Sequence, residues 1–367
     1  MFRLLIILNF TMISITSMAV TYSTDNLSEF KSNQEQEELT KKFIRGFFIA
    51  KDPIDYINDY ISIYNDKQNP LYLESRLYRL LSEISFQPKQ KFLQTFVDKM
   101  KTYQTQAFKM HDEGRLPVAI FNLNSKAQGI ENIWLATDSL NYYRQALSNN
   151  PLMVFEQLRG KLYSLKQPQW LGLKNSILEL SAKNQVLIAD YFLQDKQSII
   201  GLDKFVSHFV LLTADEELLE YSLQILDKSN SEYVLRQMIN YFPDEFVSQQ
   251  LIKSVDNNKN QTFAISMMIN FIESPLIQEK LLSYLVNEKL SNAAALVLTN
   301  TQNLETIIQI DDLYYKSNSS HVKKQILFTM RMNKLEQSNV LLKQMTQQID
   351  ENSESSQWLK SMNGELK

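Results

Sequence analysis

Three histidines, at positions 111, 208 and 321, stand about a hundred residues apart and supply the chain's only imidazoles. None belongs to a His-x-x-x-His pair, so a zinc pair on one helical face is excluded. His111-Asp112-Glu113, followed by Arg115, sets nitrogen and carboxylate groups side by side. That composition suits metal ligation in a turn and equally a solvated polar turn. His208 lies on the apolar segment Phe205 to Leu212 and reads as a core or groove residue, and His321 reads as a helix start. Cysteine is absent, which excludes disulfides, thiolate nucleophiles and cysteine-ligated zinc. There is no Gly-x-Ser-x-Gly elbow and no Ser-x-x-Lys accompanied by its partner motifs. Seven scattered glycines cannot build a phosphate-cradling loop. The acidic clusters Asp215-Glu216-Glu217 and Asp311-Asp312 fit helix-start electrostatics and solvated faces. A carboxylate pair assembled from distant positions would leave no local signature. Tyr142-Tyr143 and Tyr314-Tyr315 are candidate interface anchors, since exposed tyrosines bind with little conformational cost. The candidate binding residues are thus His111, Asp112, Glu113, Arg115, Tyr142 and Tyr143. No catalytic set, metal or cofactor is expected.

The elements that must position these residues are helical. The chain has 367 residues, 44% hydrophobic and 22% charged, enough to bury a core. Glycine and proline number only 7 and 8, which argues against sandwiches and barrels with their many tight turns. Lysine and arginine total 38 against 41 acidic residues, a net charge of -3 that leaves no footprint for nucleic acid. The N-terminus carries one positive charge at Arg3, an apolar run from Leu4 to Phe10 and the small-x-small triplet Ser17-Met18-Ala19. This is the pattern of a secretory signal peptide (residues 1–19) cut after Ala19. The run is too short and too often interrupted by Asn9, Thr11 and Ser14 for a membrane anchor. No later stretch is apolar enough to span, so no transmembrane segment is expected after cleavage. Export without cysteine points to a bacterial periplasm or secreted location.

From about residue 200 an apolar pattern repeats. One column reads Phe205, Tyr233, Phe263, Ala293, Val322 and another Val210, Met238, Met268, Leu298, Leu327, with common steps of 28, 30, 30 and 29. Each period also holds a second amphipathic stretch, such as Leu218 to Leu226, Phe246 to Leu251 or Leu276 to Val286. The period is therefore two helices of about a dozen residues with short joints. Cap-then-proline pairs at Asp52-Pro53, Asn69-Pro70, Asn150-Pro151 and Ser274-Pro275 mark helix starts, and Pro243 opens another. Thr213-x-x-Glu216 reads as a capping box. One pair cannot hide both apolar stripes, whereas stacked pairs can. The predicted fold is all-α, an α-α superhelix (solenoid) of stacked antiparallel helix pairs with a period of about 30 residues.

Over residues 200 to 349 these paired columns resemble the HEAT-like repeats of bacterial proteins, with armadillo and tetratricopeptide arrangements as alternatives. The resemblance implies a surface for another protein or peptide. Residues 141–349 are assigned to the array and 39–140 to an N-terminal helical region. That region holds a turn-rich insert near 107–136, whose Val118-Ala119-Ile120-Phe121 run is either a short strand or a buried extended stretch. Residues 20–38 are read as a loose polar leader and 350–367 as a polar tail. The resulting expectation is an exported, non-enzymatic protein-binding or scaffold protein. The rival is an enzyme or enzyme subunit acting on cell-envelope polymers from a site in the 107–136 insert.

Overall fold

A computed structural model describes residues 19–32, 34–66, 70–111, 116–257 and 259–347. Residues 1–18 of the signal-peptide region, Asp112, Glu113, Arg115 and the C-terminal tail lie outside the described residues. The fold is all-α, with one small sheet among the described residues. The chain divides into two compact units, residues 1–140 with 167–172, and residues 141–166 with 173–367.

The first unit is built on α1 (Thr24–Ser32), α2 (Gln34–Ile49), α3 (Pro53–Asp66), α4 (Pro70–Ile84) and α5 (Lys91–Lys101). As the sequence predicts, α3 and α4 begin on their prolines, and the Asp52 carboxylate accepts the N–H groups of Ile54 and Asp55 at 3.0 Å. Leu73, Leu77, Leu80, Leu81 and Ile84 recur at helical spacing along α4 and meet Phe43, Phe47, Phe96 and Trp134 in one core. The Trp134 indole donates to the Gln87 carbonyl at 2.9 Å, so the ring is buried without leaving its N–H unpaired.

Strands β1 (Val20–Tyr22), β2 (Ala107–Met110) and β3 (Pro117–Ala119) form the sheet in that order. β1 runs parallel to β2, with Val20 opposite Ala107, and β3 runs antiparallel, with Phe108 opposite Ala119. This corrects the reading of residues 20–38 as a loose leader. The segment is polar, but it is ordered through backbone pairing with β2 and through helix formation, neither of which depends on apolar content. The turn-rich insert is also shorter than expected. From Leu123 the chain is α6 (Leu123–Asn149), so among the described residues here 102–111 and 116–122 break the helical pattern, and 107–110 and 117–119 are strand.

The second unit contains α7 (Pro151–Leu158), the second half of α8 (Gln167–Leu178), α9 (Ala182–Gln194) and α10 (Lys196–Ile199). Arg159 joins this group by donating to the carbonyls of Gln197 at 2.8 Å and Ile200 at 2.7 Å, a cation placed at the end of α10. Five helix pairs then follow among the described residues: α11 (Asp203–Thr213) with α12 (Glu216–Ile225), α13 (Lys228–Gln237) with α14 (Asp244–Asp256), α15 (Gln261–Met267) with α16 (Pro275–Leu285), α17 (Ser291–Leu298) with α18 (Leu304–Lys316), and α19 (Ser320–Met332) with α20 (Glu336–Gln347). First helices pack on first helices from α11 through α19, and second helices on second helices from α14 through α20. This is a two-layer stack with translational regularity.

The burial pattern explains the period. Val210, Met238, Met268, Leu298 and Leu327 are all fully buried. In the second helices Leu219, Val247, Ile277 and Ile307 keep the steps 28, 30 and 30 and are at most 1% exposed. The other column behaves differently, because Tyr233 and Phe263 lie half-buried at the margin. There His208 stacks on Tyr233, with ring centroids 4.7 Å apart, and the Arg236 guanidinium lies 5.3 Å from the Phe263 ring centre. Each aromatic thus receives a side chain from the preceding pair.

Two caps differ from expectation. Asp215, not Thr213, heads α12, and its carboxylate accepts the Leu218 N–H at 2.9 Å. Thr213 is still inside α11, where its hydroxyl donates to the Phe209 carbonyl. Ser274 precedes Pro275 as predicted, but it makes no side-chain cap bond.

Candidate functional site

Of the six residues chosen from sequence, His111, Tyr142 and Tyr143 are among the described residues. His111 is exposed at the end of β2, its N–H donating to the Leu116 carbonyl at 3.2 Å. Tyr142 and Tyr143 belong to the second unit, where they pack edge to face at 5.0 Å. The Tyr142 hydroxyl donates to Gln157 at 3.3 Å, and burial raises the Tyr143 phenol above the ordinary tyrosine range. Adjacent residues on a helix point about 100° apart, and in this pair one ring is exposed and its neighbour half-buried.

A concave and chemically unusual place lies elsewhere in the first unit. A cleft of about 240 Å³ is lined by Phe30, Gln36, Thr40, Tyr72, Arg76 and Phe121, with Ser75 on its wall and the Arg79–Glu37 ion pair at its rim. Four local features build it. α1 contributes Phe30, which packs 5.1 Å from Tyr72 and 6.4 Å from Phe121. α2 contributes Gln36 and Thr40, and the Thr40 hydroxyl donates back to the Gln36 carbonyl at 2.7 Å, anchoring that turn. α4 carries Arg76 into its own buried stripe, three residues after Leu73 and four before Leu80. α3 presents Tyr56, Tyr60 and Tyr64, spaced four apart and therefore stacked on one face.

Arg76 is only 2% exposed. Its guanidinium donates to the hydroxyls of Tyr60 and Tyr64 and, at 2.7 Å, to the Gln36 side-chain carbonyl. It also lies 4.9 Å from the Tyr64 ring centre. All these partners are neutral. Burial pushes the Tyr60 phenol up, the bond to Tyr64 adds to that, and the Arg76 charge opposes it, so Tyr60 stays protonated. Arg79 reaches Glu37 at 3.4 Å, which neutralises the second guanidinium at the rim.

Glu74 precedes Arg76 by two residues on α4 and is fully buried. Its carboxylate accepts the Gln106 N–H at 2.5 Å and the Ala107 N–H at 3.3 Å, fixing the start of β2. Burial raises its carboxyl to about 7, partly opposed by those two bonds. In the second unit, burial lowers the His208 imidazole to about 4, and its Nδ1 lies 2.9 Å from the Lys204 carbonyl. His208 is therefore neutral at pH 7, with Nδ1 carrying the hydrogen.

Sequence reasoning passed over Arg76 because its neighbours Leu77, Leu80 and Leu81 read as core. The signal was its own register, an arginine on the apolar face of a helix. Among the described residues no three His, Asp or Glu groups cluster as a metal site, and no helix is long and apolar enough to cross a membrane. No family model, curated protein or solved structure matches this chain.

Proposed function

We propose that this chain is an exported, non-enzymatic protein-binding or scaffold protein whose HEAT-like helix pairs present a surface to a protein or peptide partner. The supporting observation is the pattern of exposed apolar side chains on the second-helix layer of the array. Leu276 on α16, Leu304, Ile308 and Tyr315 on α18, and Val340 on α20 are each 41–50% exposed, on three successive helices. A stack needs its inner stripe to be apolar, but nothing in its own packing needs these outer positions to be so. Apolar groups left exposed on successive second helices suit association with another surface. Export is supported by the Ser17-Met18-Ala19 triplet. Strand β1 begins at Val20, immediately after the proposed cleavage point.

The test is capture from a bacterial envelope extract, with the full chain beside its Leu304→Asp/Ile308→Asp variant. A protein retained by the parent and lost by the variant, at unchanged thermal stability, supports the proposal. Retention of glycan strands alone, unaffected by the variant, overturns it in favour of action on envelope polymers. N-terminal sequencing of exported protein should begin at Val20.

A further inference from the structure

We infer that the cleft around Arg76 binds an organic carboxylate carrying an apolar body, either a small free acid or the free C-terminus of a peptide. The argument starts from charge. A guanidinium removed from water is costly unless an anion faces it. Arg76 has three neutral acceptors and, among the described residues, no carboxylate within ion-pair distance. The two nearby acids are engaged, since Glu37 holds Arg79 and Glu74 holds the backbone of Gln106 and Ala107. Nε–H and one Nη2–H of Arg76 have no acceptor among the described residues. Those donors belong to the fork that matches a carboxylate.

The walls decide the rest of the ligand. Phe30, Tyr72 and Phe121 offer apolar faces, and Thr40 and Ser75 offer hydroxyls. With Arg79 paired to Glu37, the lining carries one uncompensated positive charge, which suits a monocarboxylate better than a doubly charged phosphate. The volume of about 240 Å³ equals roughly eight water volumes, below the usual range for drug-sized ligands. It fits one residue with a large apolar side chain. This site lies wholly within the first unit, so its failure would leave the reading of the repeat surface untouched.

Isothermal titration of the full chain tests the inference, with four probes: N-acetyl-phenylalanine, its C-terminal amide, an N-acetyl tripeptide ending in phenylalanine with a free carboxylate, and inorganic phosphate. The free acid should bind at least tenfold more tightly than the amide. Arg76→Gln should lose at least tenfold and Arg76→Lys should keep part of the affinity. Ser75→Phe, which fills the cleft and leaves Arg76 in place, should abolish binding with an unchanged circular dichroism spectrum, and it decides the matter where Arg76→Gln does not fold. A tripeptide bound as tightly as the single residue identifies a peptide terminus as the source, and a tripeptide excluded from the site identifies a small acid. Equal binding of acid and amide, phosphate binding as tightly as the acid, or no effect of Ser75→Phe overturns the inference.

Discussion

Glu74 and His208 give the two units opposite responses to pH. For Glu74, the folded carboxyl titrates near 7 and the unfolded one at the ordinary 4.5. Below 4.5 both states hold the proton. Between 4.5 and 7 the unfolded chain has released a proton that the folded chain keeps, so stability falls as pH rises. Above 7 the full penalty applies, roughly 3 kcal/mol. Glu74→Gln keeps an acceptor for Gln106 and Ala107 and should remove this slope, checked by urea midpoints at pH 5 and pH 8. His208 behaves in the reverse sense, because its folded value of about 4 lies below the ordinary 6.5. Stability is lost as pH falls from 6.5 towards 4, and His208→Gln should flatten that limb in thermal unfolding at pH 4.5 and 7. Neither residue announces its titration in sequence. His208 was legible as a core or groove residue from its apolar neighbours, whereas the burial of Glu74 follows from β2 lying against α4.

Helix ends and crossings carry the next level of control. Ala214 ends α11 in the left-handed conformation, with φ 51°. Ala214→Gly should stabilise the chain by roughly 0.5–1 kcal/mol, read from the denaturation midpoint, since glycine adopts that conformation without strain. Gly172 shows the opposite constraint. A Cβ there would lie 2.6 Å from the Ala136 carbonyl oxygen and the Leu140 nitrogen, so α8 passes α6 at backbone contact. Gly172→Ala should cost about 1–3 kcal/mol. Asn333 is buried and fully engaged, donating to the carbonyls of Thr299 at 3.2 Å and Thr301 at 2.9 Å while accepting from Leu335 and Ser338. Its loss to alanine orphans several of those groups and should lower the melting temperature markedly.

Links between successive second helices also belong to this scale. Lys253 reaches back to Glu220 at 2.8 Å, whereas Lys280 reaches back to Asp256 at 3.8 Å. The first pair is 33 residues apart and the second 24, so the junctions share a charge pairing but no common column. The capping error at Thr213 has a local cause: the left-handed turn at Ala214 moved the helix start by two residues.

At the scale of the molecule, each pair of the array packs chiefly on its neighbours, so damage should spread locally and not globally. Met268→Ala removes a fully buried column residue and should cost about 2–5 kcal/mol. Amide exchange should accelerate first in α14, α15 and α17, which contact the turn that carries Met268, and less in α20. Uniform acceleration through α20 would show a single cooperative block instead.

The chain's own periodicity determined that helices would form, how long they would be and that they would stack in pairs. Apolar residues recurring every three or four positions, and again every 28 to 30, have one economical burial. Tertiary structure decided what periodicity does not encode. Residues 20–22 found order only because β2 offered unpaired backbone groups 87 residues away. Arg76 became a buried cation only because Tyr60, Tyr64 and Gln36, from two other helices, closed around it. Burial along one helix is a local property, readable from spacing. The environment of a charge is the sum of what distant segments bring to it, and it exists only once they meet.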